Sequence, residues 1–371
     1  MESNCVKWVR LGDYISQRRE NNSSLKYGVN LIEGVNSDGE FQPTKAITDN
    51  INLKPYKVVR HGDIVYNPSR LNIGSLAYRT GGMCIVSHLY QVFYIKEKYQ
   101  SILSAEFLTL YLRRSEFYRY VDYDNFASQR AEYNLRKLGE LLIPLPSPDE
   151  QQKVVNVWRV FREIKEQNEA KAVPLMQVCQ SYIQELKHTY PMQEIGPYIH
   201  RIDERNTDNK IKEVRSVSVS KNFNATNAKV DKNNLSNYKI VGENQISFVQ
   251  TTGNEKCLCA AINHLGFPIV VTSVNEVFET DEKYLLADYL HLIFRRTETD
   301  RYARFNSWGS ARETFTWEDM TRFAIPLPSI EVQQAIVNIY KCANEAKQIA
   351  EEADRLSREV CPALLQHVIN S

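Results

Sequence analysis

The chain has 371 residues, 46 Lys and Arg against 45 Asp and Glu for a net charge of +1, and 43% hydrophobic residues. That length supports two or three cores of ordinary size, and no apolar run approaches the roughly 20 residues that would cross a bilayer. The opening MESNCVKWVRLGDY lacks the apolar stretch of a secretory signal, and the seven scattered cysteines lack zinc-ribbon spacing, so a cytoplasmic protein with reduced thiols is expected.

In chain order, GDIVY (62–66) and QVFYI (91–95) read as short strands rich in β-branched and aromatic residues. Asn67, Ser69, Arg70 and Asn72 follow the first of them in a polar loop. AEFLTLYLRRSEFYRYV (105–121) has the apolar spacing of one amphipathic helix, with Arg113 and Arg114 placed where cations favour a helix end. FASQR (126–130) is a turn, and IPLPSPDEQQ (143–152) closes the segment. Its prolines hold the chain extended. Ser147 then offers an N-cap, Pro148 an N1 residue, and Glu150 the third-position acid of a capping box.

Beyond the cap, Val154, Val157, Phe161, Ile164, Leu175, Val178 and Tyr182 fall at heptad spacing, with Asn168 and Lys171 interrupting the stripe. A helix over 149–187 would be ~58 Å long, with a kink at Pro174. After it, QISFV (245–249) and FPIVVT (267–272) read as strands, and ADYLHLIFRRTETDRYA (287–303) as a second amphipathic helix. Cys257 and Cys259 are expected to be same-face strand side chains. WGSAR (308–312) and IPLPSIEVQQ (325–334) precede a last helix with apolar positions at Ile339, Ala343, Ala346, Ala350, Ala353, Val360 and Leu364, and with Pro362 inside it. Four alanines along one seam imply closely approaching backbones. Ser329 repeats the N-cap, but Val332 leaves no capping box.

The two IPLP phrases lie 182 positions apart, and the same offset aligns Tyr56-Lys57-Val58-Val59 with Tyr238-Lys239-Ile240-Val241, Arg113-Arg114 with Arg295-Arg296, and FASQR with WGSAR. GDYI (12–15) and GPYI (196–199), and GMCIV (82–86) and GFPIV (266–270), match at nearby offsets. An ordered series of this kind indicates a duplicated unit, a globular part followed by a helix. The two globular parts differ in charge. Residues 1–148 carry 19 Lys and Arg against 15 Asp and Glu, or +4, whereas residues 191–329 carry 17 against 18, or −1.

IPLP followed by an acidic EQQ helix start, repeated after two α+β segments, resembles the specificity subunit of type I restriction–modification enzymes over the whole chain. GDIVYNPSRLNIGSLAY (62–78), the helices ending in RR, and WGSAR before the closing IPLP are also similar, although FASQR departs from the Gly-Ser turn more frequent in that family. The resemblance implies an α+β fold of two pseudo-symmetric target-recognition domains, each of mixed α/β character, joined by two long antiparallel coiled-coil helices. The corresponding divisions are residues 1–146, a spacer helix 147–189, residues 190–328, and a spacer helix 329–371. It further implies a non-catalytic DNA-binding subunit of a bacterial or archaeal cytoplasm that reads a bipartite site in double-stranded DNA. Two methyltransferase subunits and restriction/translocase subunits would be its partners, with S-adenosylmethionine, ATP and Mg on those partners and no cofactor on this chain.

Arg pairs bidentately with guanine and Asn or Gln with adenine, while Lys and Arg elsewhere would hold phosphates. The DNA-contact candidates are therefore Asn67, Ser69, Arg70, Asn72, Ser128, Gln129 and Arg130 in the first copy. In the second copy they are Gln250, Thr251, Thr252, Asn254, Lys256, Ser310 and Arg312. Each of these loops would also serve as a plain solvated or internally bonded turn. A coiled-coil protein–protein scaffold is the rival reading, suited by the near-neutral charge and the alanine seam. A free-standing enzyme is disfavoured: YNPS (66–69) lacks the second proline of the adenine-methyltransferase element, and neither GxxxxGK[ST] nor HExxH is present.

Overall fold

The computed structural model describes residues 6–44, 51–125, 132–226, 229–250, 257–307 and 313–370. The chain divides into two units, residues 1–167 with 349–371, and residues 168–348, so that both long helices contribute to both units.

Unit 1 begins with β1 (Lys7–Arg10), α1 (Leu11–Tyr14), β2 (Ile15–Gln17), β3 (Glu33–Val35) and β4 (Phe41–Pro43). It continues with β5 (Lys57–Val59), β6 (Ile64–Tyr66), β7 (Leu76–Tyr78), β8 (Cys84–Val86) and β9 (Gln91–Ile95). Three helices follow, α2 (Ala105–Leu112), α3 (Ser115–Asn125) and α4 (Leu135–Glu140), and β10 (Leu142–Leu145) carries the first IPLP into α5 (Pro148–Thr189). Strands β2-β9-β6-β7 form an antiparallel sheet, and β1-β10, β3-β4 and β5-β8 form ribbons.

Unit 2 repeats this order with β11 (Met192–Glu194), β12 (Ile199–Ile202), β13 (Arg215–Val217), β14 (Phe223–Ala225) and β15 (Lys239–Val241). Then come β16 (Ile246–Val249), β17 (Ala260–Ile262), β18 (Ile269–Val271), β19 (Asn275–Thr280), α6 (Ala287–Phe294), α7 (Thr297–Phe305), α8 (Trp317–Thr321), β20 (Ala324–Pro326) and α9 (Ile330–Asn370). Its sheet is β12-β19-β16-β17, and its ribbons are β11-β20, β13-β14 and β15-β18. The pairing scheme of unit 1 is thus reproduced strand for strand, as the offset of the sequence repeat requires.

The apolar strand faces and the inward faces of the helices supply one main core per unit. Tyr66, Phe93, Phe107 and Tyr133 are buried in unit 1 with Val154 and Val155 of α5 and Leu365 and Val368 of α9. Phe248, Phe278, Tyr289 and Phe315 are buried in unit 2 with Ile183 and Leu186 of α5 and Ile336 and Val337 of α9. Within each unit the two long-helix segments pack antiparallel, since the start of one meets the end of the other. In unit 1 an ion pair at 3.1 Å links Lys165 to Asp354. In unit 2 the Cys179 thiol lies 3.7 Å from the Ile336 carbonyl.

Three details differ from the sequence reading. The amphipathic segments 105–121 and 287–303 are each two helices, broken at the RR pair, where Arg113 and Arg295 cap α2 and α6. Apolar spacing carries on through the break, so periodicity alone does not reveal it.

The apolar stripe also shifts by one residue late in each long helix. Val178 is 52% exposed whereas Cys179, Ile183 and Leu186 are buried, and Cys361, Leu365 and Val368 are buried in α9 where Val360 and Leu364 are only partly so. Two successive four-residue steps, from Ile164 to Asn168 to Ala172, move the inward face past Lys171, which is exposed. The alanine seam holds: Ala343, Ala346, Ala350 and Ala353 are all buried. Both helices continue through Pro174 and Pro362.

Third, Cys257 and Cys259 precede β17 instead of lying in it, with sulfurs 4.0 Å apart, and burial pushes the Cys259 thiol up to about 12.

Candidate nucleic-acid interface

The segment after β6 is built from turns that leave little freedom. The Asn67 amide donates to the Ser75 carbonyl at 3.0 Å, the Arg70 amide to the Asn67 carbonyl at 3.0 Å, and the Ser69 amide to the Asn67 side chain at 3.1 Å. Asn72 donates its side-chain N–H to Asp122 of α3 at 2.8 Å. Gly74 has a φ of +98°, and a Cβ there would lie 2.3 Å from the Ser37 carbonyl, so glycine is what lets the loop pass the β3–β4 hairpin. The outcome is a preorganised loop on which Ser69 and Arg70 are exposed and have no side-chain partner among the described residues. Asn67 and Asn72, by contrast, spend part of their hydrogen-bonding capacity within the fold, Asn67 on its own loop and Asn72 on α3.

The loop is tied at one further point. The Tyr133 amide donates to the Pro68 carbonyl at 3.0 Å, and in unit 2 the Phe315 amide donates to the Gln250 carbonyl at 2.7 Å. These are the same bond in the two copies, with Tyr133 and Phe315 both buried. The chain flanking Ser128, Gln129 and Arg130 is thereby held against the post-β6 loop. The flank of Ser310 and Arg312 is held in the same way against the post-β16 loop that begins at Gln250. Ser128, Gln129, Arg130, Thr251, Thr252, Asn254, Lys256, Ser310 and Arg312 themselves lie outside the described residues.

Gln250 has another employment. Its amide donates to Glu276 at 2.6 Å, and Glu276 also accepts Arg201 at 2.8 and 2.6 Å and Lys239 at 3.2 Å. Opposite charges gathered under β16 fix this network as an internal support, which the sequence did not disclose because its members lie 26 to 75 positions apart.

The RR pairs are positioned as supports too. Arg113 donates to the Asp38 carbonyl in the β3–β4 hairpin, and Arg295 to the Lys221 carbonyl at 3.4 Å and Asn222 at 3.1 Å in the β13–β14 hairpin. Gly39 and Lys221 occupy the same hairpin position, with φ of 71° and 62°. Lys221 tolerates the left-handed backbone because its ammonium is buried on Asp300 at 2.7 Å and on the Phe294 carbonyl at the end of α6. Arg114 donates to the Tyr111 carbonyl at 3.1 Å and Arg296 to Gln180 and Gln184 of α5 at 3.2 and 3.0 Å.

At the opposite end of the β2-β9-β6-β7 sheet, Lys7, Arg10, Lys96 and Lys98 line an open cavity of about 500 Å³ with Asp13, Tyr14 and Tyr99. Tyr14 and Tyr99 have ring centroids 4.5 Å apart, and Tyr198 and Tyr284 repeat that pair at 5.9 Å. The strand registers put Glu194 and Asp281 where unit 1 has Arg10 and Lys96, so two of the cations of unit 1 are replaced by acids in unit 2. No group of three or more metal-ligating side chains occurs among the described residues. None of the described helices is long and apolar enough to cross a membrane.

Residues 10–172 match the family described as Type I restriction modification DNA specificity domain. The Type-I restriction-modification system S subunit from M. genitalium is 11% identical, covers 99% of this chain and 97% of its own length, and superposes with a TM-score of 0.63. The HsdS subunit from Thermoanaerobacter tengcongensis, 14% identical, covers 100% and 97% with a TM-score of 0.37. A structure of a type I R-M system, described for complex assembly and conformational transition, is also 14% identical and covers 99% and 98% with a TM-score of 0.43. No curated protein matches the chain. Residues 10–172 are thus similar to a type I restriction–modification DNA specificity domain, and the fold is shared with the M. genitalium subunit.

Proposed function

We propose that this chain is the sequence-reading, non-catalytic subunit of a type I restriction–modification complex, with each unit reading one half of a split DNA site. The observation that carries the reading is duplication with divergence. The two units share strand pairing, loop tethers and hairpin anchors, while the loops those supports present differ: NPSRLN (67–72) against QTTGNEK (250–256). A rigid scaffold under two unlike polar loops is what two unlike half-sites demand. Asn67, Ser69, Arg70, Asn72 and the loops holding Ser128 to Arg130, Gln250 to Lys256 and Ser310 to Arg312 would face DNA. The paired segments of α5 and α9 would set the spacing between half-sites.

Methylation and cleavage then belong to partners in the same cytoplasm: methyltransferase subunits holding S-adenosylmethionine, and restriction/translocase subunits using ATP and Mg. The test is selection from a random duplex library by the chain purified with the subunits that accompany it. A bipartite motif with a fixed spacer is expected, and enrichment of no split motif would refute the reading. Inserting seven residues after Asn168 should lengthen the preferred spacer or abolish binding, whereas an unchanged spacer would exclude the helices as the ruler.

A further inference from the structure

The two most exposed large apolar side chains among the described residues are Phe305, 85% exposed, and Tyr123, 83% exposed. They lie 182 positions apart, the offset of the duplication, at the ends of α7 and α3. Neither is needed to close its helix against the core. Phe117 and Val121 of α3, and Thr299 and Ala303 of α7, are the buried positions. Burying an aromatic side chain is favourable, and both copies forgo that gain at the same place. Scattered exposed apolar residues are ordinary, but a pair at equivalent positions in two diverged domains is not scattered.

The surroundings say what these rings meet. In unit 1 Asp122, the residue before Tyr123, holds Asn72 of the reading loop at 2.8 Å. In unit 2 Tyr302, one turn before Phe305, packs its ring 6.2 Å from that of Phe315, whose amide is bonded to Gln250 at the start of the corresponding loop. Tyr123 therefore adjoins a residue bonded to the loop assigned above to base reading, and Phe305 lies one turn from a ring packed on the residue that holds Gln250. Phe305 is further flanked by Arg301 and Arg304, both exposed and without a partner among the described residues. An aromatic ring between unpaired guanidinium groups fits a polyanion with apolar faces between its charges, which describes the sugars, thymine methyls and base steps of a DNA duplex. An apolar protein surface would leave Arg301 and Arg304 desolvated and unpaired.

We propose that Tyr123 and Phe305 are a duplicated pair of aromatic DNA contacts, one for each half-site, that pack against the sugar–base surface beside the bases their loops read. This rests on the proposed function, and the two are separable by experiment. The full-length chain, purified with its accompanying subunits, is carried as wild type, Tyr123→Ala, Phe305→Ala, Tyr123→Phe and Phe305→Tyr through selection from a random duplex library. Binding to the selected duplex is then measured by anisotropy.

Each alanine variant should lose affinity about tenfold or more and broaden base preference only in its own half of the motif. The aromatic swaps should stay within about twofold of wild type, and thermal unfolding should be unchanged in all four variants. If the wild type enriches a split motif and the alanine variants match it in affinity and motif, the inference fails while the proposed function stands. Loss of the accompanying subunits with unchanged DNA affinity overturns it in favour of a protein contact. If the wild type enriches nothing, both fall.

Discussion

The carboxamide of Gln333 makes in unit 2 the three hydrogen bonds that the carboxamide of Gln151 makes in unit 1. Gln151 donates to the carbonyls of Ile102 and Pro146 at 2.8 and 2.9 Å and accepts from the Ser104 amide at 2.9 Å. Gln333 donates to Tyr284 and Pro328 at 2.8 and 2.9 Å and accepts from Leu286 at 2.9 Å. Both side chains are buried. Each sits one turn into its long helix, bonding the chain just before that helix to the segment that opens α2 or α6. The repeated QQ is therefore a rivet between each globular fold and its long helix. Gln151→Ala or Gln333→Ala should cost about 2–4 kcal/mol, because buried backbone groups lose their partners. The neighbouring Gln152 and Gln334 only bridge Asn156 and Asn338 on the exposed helix face, and their alanine variants should stay within about 0.5 kcal/mol in denaturant titrations.

That rivet shows how far the letters alone reach. The repetition of IPLP and QQ was plain, and Ser147 does cap α5, its hydroxyl accepting the Glu150 amide at 3.3 Å. The reciprocal half of the box is not made, since Glu150 pairs with Lys153 instead. The role of Gln151 was hidden because its partners Ile102 and Ser104 are 49 and 47 positions away, a distance over which local pattern says nothing. The helix break at Arg113 and the seam shift at Ala172 were hidden for a different reason: tertiary contacts, not propensity, choose between two registers that the apolar spacing allows equally. Of the candidate interface, the loop 67–72 was legible from its polar composition. The internal duty of Gln250 on Glu276 was not.

Tyr66 offers a substitution that should stabilise. Its hydroxyl is buried without a hydrogen-bond partner among the described residues, and the equivalent position in unit 2 is Phe248. Desolvating a hydroxyl with no compensating bond is unfavourable, and burial also raises its pKa well above the usual phenol value. Tyr66→Phe should raise stability by about 1 kcal/mol, read as a shift of the denaturant midpoint at constant m. A loss of that size would mean that the hydroxyl is bonded in solution.

His291 should give unit 2 an acid-sensitive step. Burial first, and Arg295 second, pull its imidazole down from 6.5 to about 4, while its Nε2 lies 3.0 Å from the Lys221 carbonyl. With the folded pKa below the unfolded one, the unfolded chain binds the proton first. The contribution is therefore complete above pH 6.5 and is lost as pH falls toward 4, by about 3 kcal/mol. Asp288 and Glu298 also lose their contributions in acid, but lower down. Burial raises Asp288, yet His264 and Lys341 outweigh it and hold the group at about 2, and Arg296 holds Glu298 at about 2. Urea titrations between pH 7.5 and 4 should show the slope, and His291→Gln should flatten it.

Arg70 is the described candidate whose charge is free to act on DNA. Its backbone is fixed by the turn on Asn67, its side chain is exposed, and no carboxylate holds it among the described residues. Asn72 on the same loop is already bonded to Asp122. Arg70→Ala should weaken binding of the selected duplex by about 1–3 kcal/mol, while Asn72→Ala should do far less unless its carbonyl oxygen also accepts from a base. The salt dependence separates the two duties open to Arg70. A phosphate contact reduces the slope of log affinity against log salt by about one and leaves base preference intact. A guanine contact leaves most of the slope and relaxes preference at a single position. Because the loop is rigid and the guanidinium has no competing partner in the described fold, the second result is expected, confined to the half-site proposed for unit 1.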